Sequence, residues 1–225
     1  MSATTTVTLI LLVALLWLAL WFFNGKKVML RTLGKLPATP VKQLQDHVFG
    51  KVSGKALHVK EPLIAPFSER KCVFYSVKIE KRVSSGKRSH WKTLVDDEQI
   101  QEFFVDAGDD FVIVQPNKSQ KNYISHLVVD KTQRSGTFND PTPQFQRVLN
   151  RYSIESENFF GWNRTLRYSE GIIEVGENIT VAGIVKWKQL KTPIAEYPHS
   201  KIVSLVATDK QKLIITDLPE ATYQN

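Results

Sequence analysis

Cys72-Val-Phe-Tyr-Ser-Val-Lys-Ile-Glu-Lys-Arg-Val83 is the stretch that decides the fold class. Val73, Tyr75, Val77 and Ile79 fall on one side of an extended chain, and Ser76, Lys78 and Glu80 on the other. A period of two, carried by β-branched and aromatic residues, predicts a half-buried strand. Ser84-Ser-Gly-Lys-Arg88 then reads as a turn, and Ser89-His-Trp-Lys-Thr-Leu-Val95 as the returning strand. The result is a long hairpin with a basic tip.

Outward from this hairpin the chain keeps the same texture. Asp96 to Gln101 reads as an acidic turn. Phe103–Val105, the Asp/Gly-rich turn Asp106–Asp110 and Phe111–Val114 predict a second hairpin. Residues 118–140 are polar apart from Leu127-Val-Val129, and Phe145, Val148, Leu149 and Tyr152 recur at helical spacing over 143–152. Residues 165–174 and Ile179–Trp187 are strand-like, the latter with an internal Gly183 that marks a bulge or a close backbone approach. Ile202–Val206 and Leu213–Thr216 follow. Upstream, Val48–Val52 and Ala56–Val59 are two short strand-like runs around a Ser53-Gly-Lys55 turn. Many short strands with evenly spaced turns predict a mainly β domain, a small barrel or sandwich.

The N-terminus has a different character. Val7 to Phe23, VTLILLVALLWLALWFF, holds no charge, Pro or Gly, and Thr8 is its only polar side chain. About 17 to 19 apolar residues cover a hydrocarbon core of roughly 30 Å, so one transmembrane helix is expected. Trp17, Trp21, Phe22 and Phe23 crowd its C-terminal half, where aromatics meet the headgroups. A cleaved signal peptide fits less well, because no Lys or Arg precedes the run and no small-x-small site closes it. Lys26, Lys27, Arg31 and Lys35 follow the helix, which by the positive-inside rule puts the C-terminal domain in the cytoplasm. The expected organisation is an anchor over 1–24, a connector over 25–47, a β-rich domain over 48–218 and a tail over 219–225. In the connector the helix continues past Val28-Met-Leu30 for a turn or two, until Pro37 and Pro40.

Composition narrows the chemistry. The 225 residues carry a net charge of +8, unevenly placed: residues 26–92 hold 16 basic and 4 acidic side chains. Lys51, Lys71, Lys81, Arg82, Lys87 and Arg88 form a candidate basic surface for anionic lipid; nucleic acid is disfavoured as a main partner of an anchored protein. The one cysteine excludes an intramolecular disulfide and a multi-cysteine zinc site, and a lone thiol suits a reducing compartment. The five histidines lack metal-ligand spacing, and no phosphate-binding glycine loop or nucleophile elbow is present. Cys72, beside Arg70 and Lys71, has the setting of an activated thiol, but a cysteine opening a strand is more often a small buried apolar residue. The Asp106–Asp110 cluster reads as turn chemistry before it reads as a cation site. No cofactor, no metal and no catalytic residue is expected.

A set of short motifs adds a resemblance. Leu63, Pro66, Ser68, Cys72 and Tyr75, then Trp91-Lys92, Phe103, Asp106, Val114 and Pro116, then Leu166-Arg-Tyr168, Glu170, Gly176, Val181 and Gly183 resemble the GIDE domain over roughly 48–218. That domain occurs in mulan-type ubiquitin ligases and in many prokaryotic membrane proteins. The resemblance implies a membrane protein of the ubiquitin-ligase family. Its ligases add a second membrane helix and a zinc-binding RING of about eight Cys/His ligands, of which the last third of this chain offers only His199. The expected function is therefore a single-pass anchored binding or scaffold module with an unnamed protein partner. The alternatives are a part of a ligase whose RING lies elsewhere, and a basic domain on anionic lipid. Among the motif residues, Pro66 and Ser68 shape a loop, Tyr75 and Trp91 are expected to touch across the hairpin, and Arg167, Tyr168 and Glu170 are expected to form one polar cluster.

Overall fold

The structure is a computed structural model that describes residues 3–86, 88–108, 110–136, 139–157, 163–190 and 200–222. The chain opens with helix α1 (Ala3–Phe22) and a second helix α2 (Gly25–Gly34). The connector helix is not a continuation of the first. Asn24 breaks the two at an angle of 56°, and its side chain accepts the Lys26 N–H at 3.1 Å as an N-cap. Over the residues whose side chains are described, no single helix is long and apolar enough to cross a membrane; Ile10–Phe22 and Gly25–Gly34 are so only as a bent pair.

Among the described residues twelve strands follow: β1 (Phe49–His58), β2 (Leu63–Ile64), β3 (Lys71–Ser85), β4 (Arg88–Ile100), β5 (Phe103–Asp106), β6 (Phe111–Val114), β7 (Tyr123–His126), β8 (Lys131–Ser135), β9 (Leu166–Glu174), β10 (Asn178–Gln189), β11 (Lys201–Val206) and β12 (Leu213–Thr216). Helix α3 (Pro143–Arg151) lies between β8 and β9, and the single turn α4 (Pro219–Thr222) follows β12. The mainly β expectation holds.

Five strands close into a ring. The order runs β1-β5-β6-β11-β10, and β10 pairs back onto β1. Every contact is antiparallel except β6 with β11. In strand order this is a Greek-key barrel of the OB type. β12 and β7 extend it beyond β10. Val52, Phe103, Val105, Val112, Val114, Val181, Val185, Val203 and Leu205 fill its interior. Outside it, Met29 and Leu33 of α2 pack with Ala182, Ile214, Leu218 and Ala221, so the connector helix is seated on the barrel.

The second sheet is β4 and β2 against one edge of β3, then β9, then β8. Its core is separate: Tyr75, Val77, Ile79, Leu166, Tyr168 and Ile172 under Phe145, Val148 and Leu149 of α3. The helix expected from periodicity over 143–152 is present, with Thr142 capping the Phe145 N–H.

Strand β3 joins the two cores, and a register shift between Cys72 and Phe74 changes its facing. Val73 therefore points with Phe74 into the barrel rather than with Tyr75, Val77 and Ile79. Ser53-Gly-Lys55 is not a turn: it lies inside β1, where the strand passes from β10 to β5. Asp96–Ile100 is not a turn either, but the second half of β4. Its carboxylates are placed by partners far away in sequence: Tyr152 donates to Asp97 at 3.2 Å, and Tyr123 to Glu98 at 2.8 Å. The Asp106 turn is held by its own Gly108 N–H at 2.9 Å; Asp109 lies outside the described residues.

Candidate binding site on the second sheet

Alternation along β9 sorts the motif residues. Tyr168 and Glu170 share the face covered by α3, and both are 0% exposed. Glu170 is a buried carboxylate that forms no ion pair among the described residues, so its lone pairs must be met by donors. They are: Phe67 N–H at 2.9 Å, Ser68 N–H at 3.1 Å and Tyr168 Oη at 2.7 Å. The carboxylate thus clamps the loop between β2 and β3 onto the sheet. Ala65 N–H to Arg70 carbonyl at 3.0 Å closes the loop, and Gln144 of α3 donates to the Phe67 carbonyl at 2.5 Å. Pro66 lies half-buried within it. The Tyr168 hydroxyl is held neutral far above its usual range by burial, then by its bond to Glu170.

Arg70 leaves this loop to bridge Asp130 at 3.0 Å and Glu174 at 2.8 Å. The second Asp130 oxygen accepts the Ile172 N–H at 3.0 Å. Beside this pair opens a cleft of about 540 Å³ lined by Phe67, Ser68, Arg70, Asp130, Lys131, Gln133 and Gln144. Its walls carry a hydroxyl, amides, the paired ions Arg70 and Asp130, and the exposed Lys131. Such a lining offers hydrogen bonds and a cation, and holds no nucleophile–base pair. Cys72 does not supply one, since it is fully buried with its thiol toward the Leu63 carbonyl, and burial pushes its pKa to about 12. Tyr75 is buried too, its hydroxyl 3.5 Å from Arg151, and burial raises it. Among the described residues no group of His, Cys, Asp or Glu is placed to hold a metal ion.

Two expected contacts are absent. Tyr75 and Trp91 do not meet: Tyr75 faces Gln99 across the hairpin, and Trp91 faces Arg82. Arg167 does not join Tyr168 and Glu170. As their neighbour along a strand it points to the opposite face, where it binds Glu80 at 2.7 Å and stacks its guanidinium 4.4 Å from the Trp91 ring. These residues form the base of an arm. β9 supports β3 only as far as Lys81, so Val83–Ser85 and Arg88–His90 form a free two-stranded ribbon.

Of the basic surface, Arg82 and Arg88 are exposed on the arm, Lys81 is half-buried at its root, and Lys71 is exposed at the start of β3. Lys87 lies outside the described residues. Lys51 does not belong to this surface. It is 7% exposed and donates to the Leu33 carbonyl at 3.2 Å, capping the C-terminal end of α2. Lys81 stands directly across from Lys92, a like-charged pair that a sheet does not choose for stability. Sequence reasoning did not bring Arg70, Asp130 and Gln144 together, because their partnership runs between segments 60 to 77 residues apart.

The family model GIDE, described as E3 ubiquitin ligase, matches residues 76–218, well over half of the chain. The protein belongs to the GIDE family. The matched segment contains Trp91, Arg167, Tyr168 and Glu170, together with Lys81, Arg82, Lys87 and Arg88; Pro66, Ser68, Cys72 and Tyr75 precede it. In this GIDE protein the clamp therefore joins a carboxylate inside the matched segment to a loop outside it. No curated protein and no solved structure matches the chain.

Proposed function

We propose that this GIDE protein is a single-pass membrane-anchored binding module whose partner-facing element is the β3–β4 arm. The observation that carries the reading is the contrast between α1 and everything after it. From Ile10 to Phe23 the large apolar side chains are 50 to 73% exposed all round the helix, whereas α2 and the strands bury most of theirs. A 20-residue helix is about 30 Å long, the thickness of a hydrocarbon core. Lys26, Lys27 and Arg31 follow it, which by the positive-inside rule supports a cytoplasmic side for the folded domain. The arm then offers Arg82 and Arg88, exposed and in no ion pair among the described residues, suited to an acidic protein surface.

In-cell crosslinking of the full chain, followed by mass spectrometry, tests this. The expected result is one specific protein partner that is lost when Arg82 and Arg88 are changed to Glu. Recovery of the same partner by the charge-reversed arm contradicts the assignment.

The family's description favours a second reading, in which the module holds substrate for a ubiquitin ligase whose zinc-binding RING is contributed by another chain. Ubiquitin-conjugating enzyme or a RING protein among the crosslinked partners would support it.

A further inference from the structure

We propose that Ile124, Val128 and Val129 form a second membrane contact, seated in the headgroup layer of the leaflet that α1 enters. The proposal rests on α1 being the anchor. Outside α1 and Phe23, seven large apolar residues are exposed among the described residues, and four of them lie in the first turn of α2 or within three residues of His126: Val28, Ile124, Val128 and Val129, at 40 to 57%. The elbow itself carries cation–aromatic pairs. Lys27 lies 3.2 Å over Trp21, and Arg31 lies 3.8 Å over Phe22 while donating to its carbonyl at 2.6 Å. Aromatic rings paired with cations are the chemistry of the membrane–water boundary.

Geometry fixes the height of the neighbours. The 10 residues of α2 span about 15 Å, and at 56° to α1 they advance only about 8 Å along its direction. The headgroup layer on one side of a bilayer is roughly 5 to 8 Å deep. Whatever touches the first turn of α2 therefore lies at headgroup level. His126, at the end of β7, touches it: its Nε2 is 3.5 Å from where a Cβ on Gly25 would stand. Glu220 of α4 bridges Lys26 at 3.0 Å. Val128 is two residues past His126, and its N–H is held by Asp217 at 2.9 Å. Ile124 pairs with Ile214, which packs against Met29 and Leu33. Ile124, Val128 and Val129 thus stand within three residues of the point where His126 meets the turn that carries Lys26 and Lys27. The occupant of this patch is the bilayer, and the consequence is an oriented domain rather than one on a loose tether.

The test uses the full chain in nanodiscs of phosphatidylcholine and phosphatidylserine, labelled with bimane at Val129→Cys, Leu16→Cys or Lys210→Cys; Ile124→Cys repeats the first. Native Cys72 is buried and stays unlabelled. Lys210 is exposed in the turn before β12, at the opposite end of that strand from Asp217. Lipids brominated near the headgroup should quench the label at 129 by roughly twofold and leave the one at 210 unaffected. Lipids brominated deep in the chains should quench the label at 16. Quenching at 16 with none at 129 overturns the second contact while the anchor stands. A blue-shifted but unquenched label at 129 assigns the patch to protein, which also overturns it. No quenching at 16 removes the anchor, and this proposal with it.

Discussion

Glu170 sets the residue scale. It gathers three donors in a site from which water is excluded, and replacing it by Gln leaves one acceptor oxygen and introduces an amide donor beside two backbone N–H groups. Glu170→Gln is expected to cost about 2 kcal/mol and lower Tm by roughly 5 °C. Thiol trapping gives a sharper reading of the same loop. Cys72 should resist maleimide at pH 8 in the native protein and react once Glu170→Ala releases the loop over it. Equal rates would show that the carboxylate does not hold the loop down. Asp217 gives a pH dependence. Burial, opposed by its bonds to the Val128 N–H and aided by Glu177, raises its pKa from 3.8 to about 7. A carboxyl raised in the fold contributes stability below its unfolded pKa, and that contribution is lost as pH rises through the folded value. Asp217→Asn should thus melt higher than the parent at pH 8 and close to it at pH 4. His126, lowered by burial and then by Lys26, acts in the opposite sense, losing stability as pH falls. Part of the residue scale was legible in the sequence. A buried fate for a strand-opening cysteine follows from its type; the parity of β9 separates Arg167 from Tyr168 and Glu170, but the expectation of one polar cluster overlooked it. The donors of Glu170 were not legible, since two of them are backbone N–H groups about 100 residues away.

At the scale of elements, β1 shows why composition misleads. Ser53-Gly-Lys55 has turn composition, yet Gly54 sits in the strand because the β5 backbone crosses it: a Cβ there would stand 2.1 Å from the Asp106 carbonyl oxygen. Gly183 meets the end of a side chain instead, Leu213 Cδ2 at 2.5 Å. Gly54→Ala is accordingly expected to cost several kcal/mol or prevent folding, and Gly183→Ala about 1 to 2 kcal/mol, since Leu213 can turn away. Equal melting shifts for the two would contradict the close crossing of β1 and β5. The acidic half of β4 and the polar strands β7 and β8 escaped a reading by hydrophobic period. Short edge strands carry little apolar signal, and the partners of Asp97 and Glu98 lie 25 to 55 residues downstream. The arm gives the opposite case, legible from alternation and turn chemistry alone. Arg82 and Arg88 are exposed and in no ion pair among the described residues, and Arg82 donates only to Ser89 on the facing strand, so Arg82→Glu with Arg88→Glu should change stability by no more than about 1 kcal/mol in chemical denaturation.

On the scale of the whole molecule, the barrel closes through β1 with β10 and through the parallel pair β6 and β11, contacts that no local pattern announces. The mainly β class was readable because it follows from alternation; the two separate cores were not, because they depend on the register shift in β3. The seat of α2 on the barrel was hidden as well, since Met29 and Leu33 are too few to make a pattern in sequence. Whether α1 holds this domain at a membrane is decided by extraction of cell membranes with alkaline carbonate followed by flotation. The full chain should stay in the floating fraction, and a chain lacking residues 3–22 should be released to the supernatant. Release of both to the same extent would contradict the account.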